Sequence, residues 1–226
     1  MYFSLAVWKS RSVSYTHLDV YKRQDFGIDL HTGSGGRTNT PQIRCNLNDP
    51  ATRTAALEFG APVIVQARER ANSLRAVAAA RGLPMLLFEG GEALRFDPES
   101  IRIGSQGILR VMVHLGMKIG TNDPPGRRPF VAEGSTWLRT LRGGMFHAAA
   151  YPGDTVKKGE ILGMTTDIYG RSRSKTIAPD DGLIIGMASN PLVSRGDGVL
   201  HIARREQKDS RPEPSEPGAV TGRLRR

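Results

Sequence analysis

Between residues 26 and 115, three short apolar runs, FGIDLH, PVIVQ and PMLLFEGG, alternate with stretches whose apolar residues recur at helical spacing. That alternation narrows the chain to an α/β layer built on a largely parallel sheet. The punctuation agrees with it. Asp49-Pro50 and Asp97-Pro98 each set an N-cap before a first-turn proline, the signal that opens a helix. The first such helix ends near Gly60, and the second, longer one carries Ile101, Ile108, Val111, Met112 and Leu115 at helical spacing. Between them, residues 71–81 are rich in Ala and Arg, with Leu74, Val77 and Ala78 on one face, and Gly82 closes them. The Gly-, Asn- and Thr-rich stretch from Thr32 to Asn39 reads as a loop.

The chain changes character twice more. Residues 118–136 form a Pro/Gly-rich hinge, after which short strands broken by Gly predict an all-β region. Two segments there, PGDTVKKGEILGMTTD and SNPLVSRGDGVLHIA, place an apolar residue two positions before a basic one, then Gly, then a strand. This doubled turn resembles the barrel-sandwich fold of biotinyl and lipoyl domains. Lys175 lies in DIYGRSRSKTIAP without the flanking pattern of a modified lysine, so a structural copy is expected rather than a carrier. Residues 1–24 show no sustained period, and SVSYTHLDVYKRQ resembles a translated sequencing-adaptor artefact. On that reading the native sequence starts near Asp25, and His17 has no function. The expected organisation is a non-native or disordered segment 1–24, an α/β part 25–125, a β-rich part 126–205 and a charged, Pro-rich disordered tail 206–226.

Composition closes off several functions. The formal charge is +10, but Lys9, Arg11, Lys22 and Arg23 at one end and seven Lys/Arg after position 203 at the other carry much of it. No Lys/Arg run is interleaved with aromatics, so no nucleic-acid site is expected. No apolar run approaches the roughly 18 residues of a membrane span, and the opening residues lack the parts of a signal peptide. A soluble, cytoplasmic protein without a membrane partner is expected. Cys45 is the only cysteine, which excludes an intrachain disulfide and a thiolate zinc cluster; any metal site must use His and carboxylates.

Two positions carry chemistry. Asp29-Leu30-His31-Thr32 puts His31 at the C-terminal edge of a strand, where α/β proteins build their sites; taken alone, such a His is more often an ordinary polar residue than a ligand. Glu89 ends the apolar strand PMLLF and precedes Gly90-Gly91. A carboxylate there must be paired, protonated or functional, and the glycines allow a backbone or substrate to come close. Glu92 is a substitute, expected past the strand and solvated. One His and one Glu on neighbouring strand ends match the logic of a metal hydrolase, in which a carboxylate takes the proton of attacking water. His114, His147 and His201 are expected to be structural.

The blocks DFGIDLHTGSGGRTNTPQIR, FEGGEALRFD and GDTVKKGEILG…TIAPDDGLIIG…PLVSRGDGVLHIA resemble, in order, those of the succinylglutamate desuccinylase/aspartoacylase family. The resemblance implies a partial zinc-carboxypeptidase-like mixed sheet with flanking helices, followed by a small barrel-sandwich-like β domain. It implies a Zn²⁺ deacylase acting on a small N-acylated amino acid. His31 would be the third zinc ligand and Glu89 the general base. Arg75 would hold the substrate carboxylate, with Arg44 a second candidate for which loop packing is equally open. The family's His-x-x-Glu ligands and its Asn-Arg pair precede the Asp-Leu-His block, and residues 1–30 supply neither, since His17 is followed three positions later by Val20. A truncated, nearly inactive chain is therefore expected. The competing expectations are a metallocarboxypeptidase acting on peptides and a non-catalytic scaffold. An exposed partial sheet would also favour self-association.

Overall fold

The computed structural model of the chain describes the backbone of residues 3–7 and, in full, residues 24–120, 128–171 and 173–205. The sequence-level readings of the remaining N-terminal residues and of the tail from 206 lie outside the described residues.

Both Asp-Pro signals open helices. Helix α1 (Pro50–Phe59) is capped by the Asp49 carboxylate, which accepts from the Thr52 amide at 2.8 Å, and Gly60 ends it in the left-handed conformation at φ 74°. Helix α3 (Pro98–His114) starts on Asp97, whose carboxylate accepts from the Ser100 amide at 2.8 Å. Between them, α2 (Leu74–Ala79) is shorter than the Ala/Arg run predicts and is capped by Ser73. The buried face of α3 also differs from the expectation. Ile101 is 55% exposed, while Ile103, Gly104, Gly107 and Val111 turn inward. The helix uses glycine to let the rings of Phe88 and Phe59 lie against its backbone, so an apolar-residue pattern alone misplaces its face. Arg110 then ties α3 to the C-terminal end of α1, its Nη2 donating to the Phe59 carbonyl at 2.6 Å, where a cation suits the free carbonyls.

The strands are β1 (Phe3–Val7), β2 (Phe26–His31), β3 (Arg37–Cys45), β4 (Val63–Gln66), β5 (Met85–Glu92), β6 (Phe130–Arg139), β7 (Gly144–Ala148), β8 (Thr155–Val156), β9 (Ile161–Thr166), β10 (Arg173–Ile177), β11 (Gly182–Ala188), β12 (Leu192–Val193) and β13 (Gly198–Arg205). Nine of them form one mixed sheet in the order β1-β2-β5-β3-β4-β6-β13-β11-β8. β2 runs parallel to β5, and β3 and β6 run parallel to β4, but β3 is antiparallel to β5. Part of the stretch expected to be loop, from Arg37, thus belongs to a central strand, and Glu92 closes β5 as its last residue, half-buried.

An extra pairing of β11 with β3 closes β3, β4, β6, β13 and β11 into a small barrel. Strands before residue 121 and strands after residue 127 therefore share one sheet. A four-stranded sheet, β10-β9-β7-β12, packs beside it. The two Gly-turn repeats fold alike, each as a two-residue strand, a turn and a long strand (β8 with β9, β12 with β13).

Alternation sorts the side chains into three cores. Ile28, Ile43, Ile64, Leu86 and Phe88 face α1 and α3. Val63, Val65, Ala132, Ile185 and Ala203 fill the barrel. Leu162, Ile184, Leu200 and Ile202 pack between the barrel and the second sheet. Among the described residues, no helix is long and apolar enough to cross a membrane.

Candidate active site

Parallel pairing of β2 with β5 sets His31 directly beside Glu89 in register. Antiparallel pairing of β3 with β5 sets Gln42 opposite Glu89 and Arg44 opposite Leu87. Register partners point to one side of a sheet. Asp29, His31, Glu89, Gln42 and Arg44 therefore share the face turned away from the helices, while Ile28, Phe88 and Ile43 take the other. This is why a polar cluster stands on strands whose alternate residues are fully buried.

His31 Nε2 lies 3.0 Å from Asp29 Oδ2, a contact that fixes the ring's orientation. Asp29 is thus the carboxylate that orients the ring. Glu89 Oε2 accepts a hydrogen bond of 3.2 Å from Asn39 Nδ2. The Gly90-Gly91 pair makes room for the protein itself. A Cβ on Gly90 would meet Ser100 Oγ at 2.7 Å, and one on Gly91 would meet the Asp97 Cβ at 2.8 Å, so both glycines serve the docking of α3's first turn. Glu92 pairs with Arg95 at 3.7 Å.

Arg75 stands on α2, half-buried, with Nη1 donating to the Ala67 carbonyl at 3.4 Å. Burial lowers its pKa from the usual arginine value, and the neighbouring Arg44 guanidinium lowers it further, while Glu69 and Glu89 oppose the shift. It lines a cavity of about 240 Å³ with Asn46, Asp49, Glu69 and Met85, at the end of β5 where Met85 starts. Of the four residues singled out in the sequence, His31, Glu89 and Arg44 share one face, and Arg75 stands on α2 near the Met85 end of β5. A second cavity of about 360 Å³ opens beside His31 on the helix side, between Leu30, Phe88, Ser100 and Ile108.

Residues to which the sequence reading gave no role in the chemistry complete the surroundings. His201 on β13, 6% exposed, stacks on its register partner Trp137 with ring centres 4.7 Å apart, and the Arg37 guanidinium lies 4.3 Å over the Trp137 ring. Burial pushes the His201 imidazole down to about 3, and Arg44, Arg37 and Arg70 push it the same way. Gln42 is completely buried and neither of its side-chain polar atoms has a hydrogen-bond partner. The signal was present in RTNTPQIR. It was short: Gln42, Ile43 and Arg44 alternate polar and apolar, whereas Arg37 to Thr40 are all polar, and the register with β5 shifts between Asn39 and Gln42. His147 is exposed and meets Thr166 Oγ1 at 3.2 Å; His114 is exposed on α3.

A mixed sheet with a His and a Glu in register on adjacent parallel strands frames this candidate site. The succinylglutamate desuccinylase/aspartoacylase catalytic domain matches residues 9–115. Among solved structures, the succinylglutamate desuccinylase/aspartoacylase from Rhodobacter sphaeroides is similar at 27% identity and a TM-score of 0.71, over 82% of this chain and 60% of that one. The ectoine utilization protein EutE from Ruegeria pomeroyi, in a product-bound structure, shares the fold at 20% identity and a TM-score of 0.74, with 82% and 60% covered. So does an aspartoacylase family protein from Mesorhizobium loti, at 18% identity and a TM-score of 0.68, with 82% and 64% covered. No curated protein sequence gave a match. Residues 9–115 thus resemble the succinylglutamate desuccinylase/aspartoacylase catalytic domain, and the chain spans less than two thirds of the length of these structural relatives.

Proposed function

We propose that this chain carries part of the site of a deacylase that hydrolyses the amide bond of a small N-acylated amino acid. The observation that supports it most is the registered pair His31 and Glu89 on adjacent parallel strands, on one face with Arg44. In this reading Glu89 takes a proton from water as the water oxygen attacks the amide carbonyl, and passes it to the departing amine. Arg44 and Arg75 attract the substrate carboxylate.

Zinc is the cofactor that the family resemblance implies, and His31, oriented by Asp29, is the ligand this chain would bring. Catalytic zinc takes about three protein ligands. Among the described residues no group of three or more His, Cys, Asp or Glu could hold a metal ion, so these residues do not fit a zinc site by themselves. The chain alone is accordingly proposed to be nearly inactive.

The test combines metal analysis, hydrolysis and binding on the purified 226-residue chain. After dialysis against zinc it should retain far less than one equivalent, and hydrolysis of an N-acetyl amino acid should stay near background. Calorimetric titration should still detect binding of the N-acetyl amino acid, weaker by about tenfold in Arg75→Ala, the loss expected for one charged hydrogen bond, and stronger than binding of a dipeptide. Robust zinc-dependent hydrolysis abolished by Glu89→Gln would confirm the deacylase and overturn the inactivity. Neither binding nor hydrolysis would turn the assignment to a non-catalytic scaffold.

A further inference from the structure

The carboxylate assigned above as the base is held by a side chain that in turn depends on the barrel. Asn39 Nδ2 donates to Glu89 Oε2 at 3.2 Å. A carboxylate can only accept, so the amide must present its nitrogen there, and the Asn39 Oδ1 atom is turned elsewhere. That oxygen is buried without a hydrogen-bond partner, and it sits against β11. A Cβ built on Gly186 would lie 2.6 Å from it. Gly186 is the register partner of Asn39 across the β11–β3 pairing that closes the barrel.

Both strands are irregular at this point. The β3 register with β5 shifts between Asn39 and Gln42, and the β11 register with β13 shifts between Ile184 and Gly186. Such bulges re-aim side chains beside sites. Three strands thus converge, each contributing one residue: Glu89 from β5, Asn39 from β3 and Gly186 from β11.

We propose that Asn39 is the positioning residue for the Glu89 carboxylate, and that Gly186 sets that position by leaving space for the Asn39 carbonyl oxygen. A side chain at 186 has no room unless the Asn39 amide swings away, because the Thr38 carbonyl oxygen at 3.3 Å and the His201 Cβ at 3.4 Å close the other directions. The β region after position 126 would then act on the base without touching substrate. This inference rests on the reading of Glu89 as general base for its functional meaning, while its geometry is open to a test of its own.

That test uses the full 226-residue chain labelled with ¹⁵N, with the Asn39 side-chain amide signals assigned by their loss in Asn39→Asp. Glu89→Gln and Gly186→Ala should each shift those signals, and Glu92→Gln should leave them in place. In urea unfolding, Gly186→Ala should lower the midpoint in the parent chain and by less than half as much in an Asn39→Ala background, where the oxygen it strikes is gone. If Gly186→Ala fails to fold, Gly186→Ala/Asn39→Ala should recover a folded chain. Asn39 signals unmoved by Glu89→Gln, or an equal Gly186→Ala loss in both backgrounds, would overturn the proposal.

In a preparation that hydrolyses an N-acyl amino acid, Asn39→Ala should reduce kcat about tenfold with KM nearly constant, as misalignment of a reacting group does. Activity lost in Glu89→Gln but untouched by Asn39→Ala would overturn the positioning role and keep the base. Activity indifferent to Glu89→Gln would overturn the base, and the amide signals would still decide the contact.

Discussion

His201 lies inside the barrel, where its imidazole stacks on Trp137 and faces the positive charges of Arg44, Arg37 and Arg70. Burial first, and those charges second, push it down to about 3, against an unfolded value of about 6.5. The folded protein therefore keeps this ring neutral where the unfolded chain would protonate it. The sign follows directly. As pH falls below about 6.5 the unfolded state binds a proton that the folded state refuses, so stability drops by about 1.4 kcal/mol per pH unit until about 3. Replacing His201 with Gln should flatten the urea-unfolding free energy between about pH 6 and about pH 4. Equal slopes in parent and variant would show that the ring is protonated in the fold.

At the scale of elements, the helix layer turns on close contacts that only glycine permits. A Cβ at Gly107 would lie 2.3 Å from a ring carbon of Phe59, at the crossing of α3 with α1, and Phe59 is fully buried. Gly107→Ala should cost about 1–3 kcal/mol, the range of overpacked cores, despite alanine's better helix propensity. A thermal melt checks this, and Phe59→Leu in the same chain should restore part of the loss by removing the ring.

The same contrast explains what the sequence disclosed about elements. Asp49-Pro50 and Asp97-Pro98 act locally, through a carboxylate and the amides of its own first turn, so both helix starts were legible. β3 was half-hidden because its site face carries Gln42 and Arg44 and its middle holds Pro41 and a bulge. These features mimic a loop when only propensity is read. His31 and Glu89 stood out because each ends an apolar run, whereas Asn39, Gly186 and His201 gain their meaning only from pairings between strands far apart in the chain.

For the whole molecule the decisive feature is the β3–β11 pairing. Without it the region after position 126 could be an appendage, as the change of composition suggests. With it, β3 and β4 from the first half and β6, β11 and β13 from the second complete one barrel around Val63, Val65, Ala132, Ile185 and Ala203. Neither half can then bury these residues alone, and cooperative unfolding of the two halves together follows. Two probes lie on either side of the boundary. Cys45 on β3 is fully buried, and burial holds its thiol up at about 12, so it should resist thiol reagents until the first half opens. Trp137 on β6, stacked on His201, reports the second half once Trp8 is replaced by Phe. In a urea titration of the Trp8→Phe chain, Cys45 labelling and Trp137 fluorescence should give the same midpoint. If Trp137 were to change at a clearly different urea concentration from Cys45, the barrel would not couple the halves and two independent domains would be the better description. Asn39→Ala and Gly186→Ala should then lose any influence across the boundary, because the contact they test is part of the same closure.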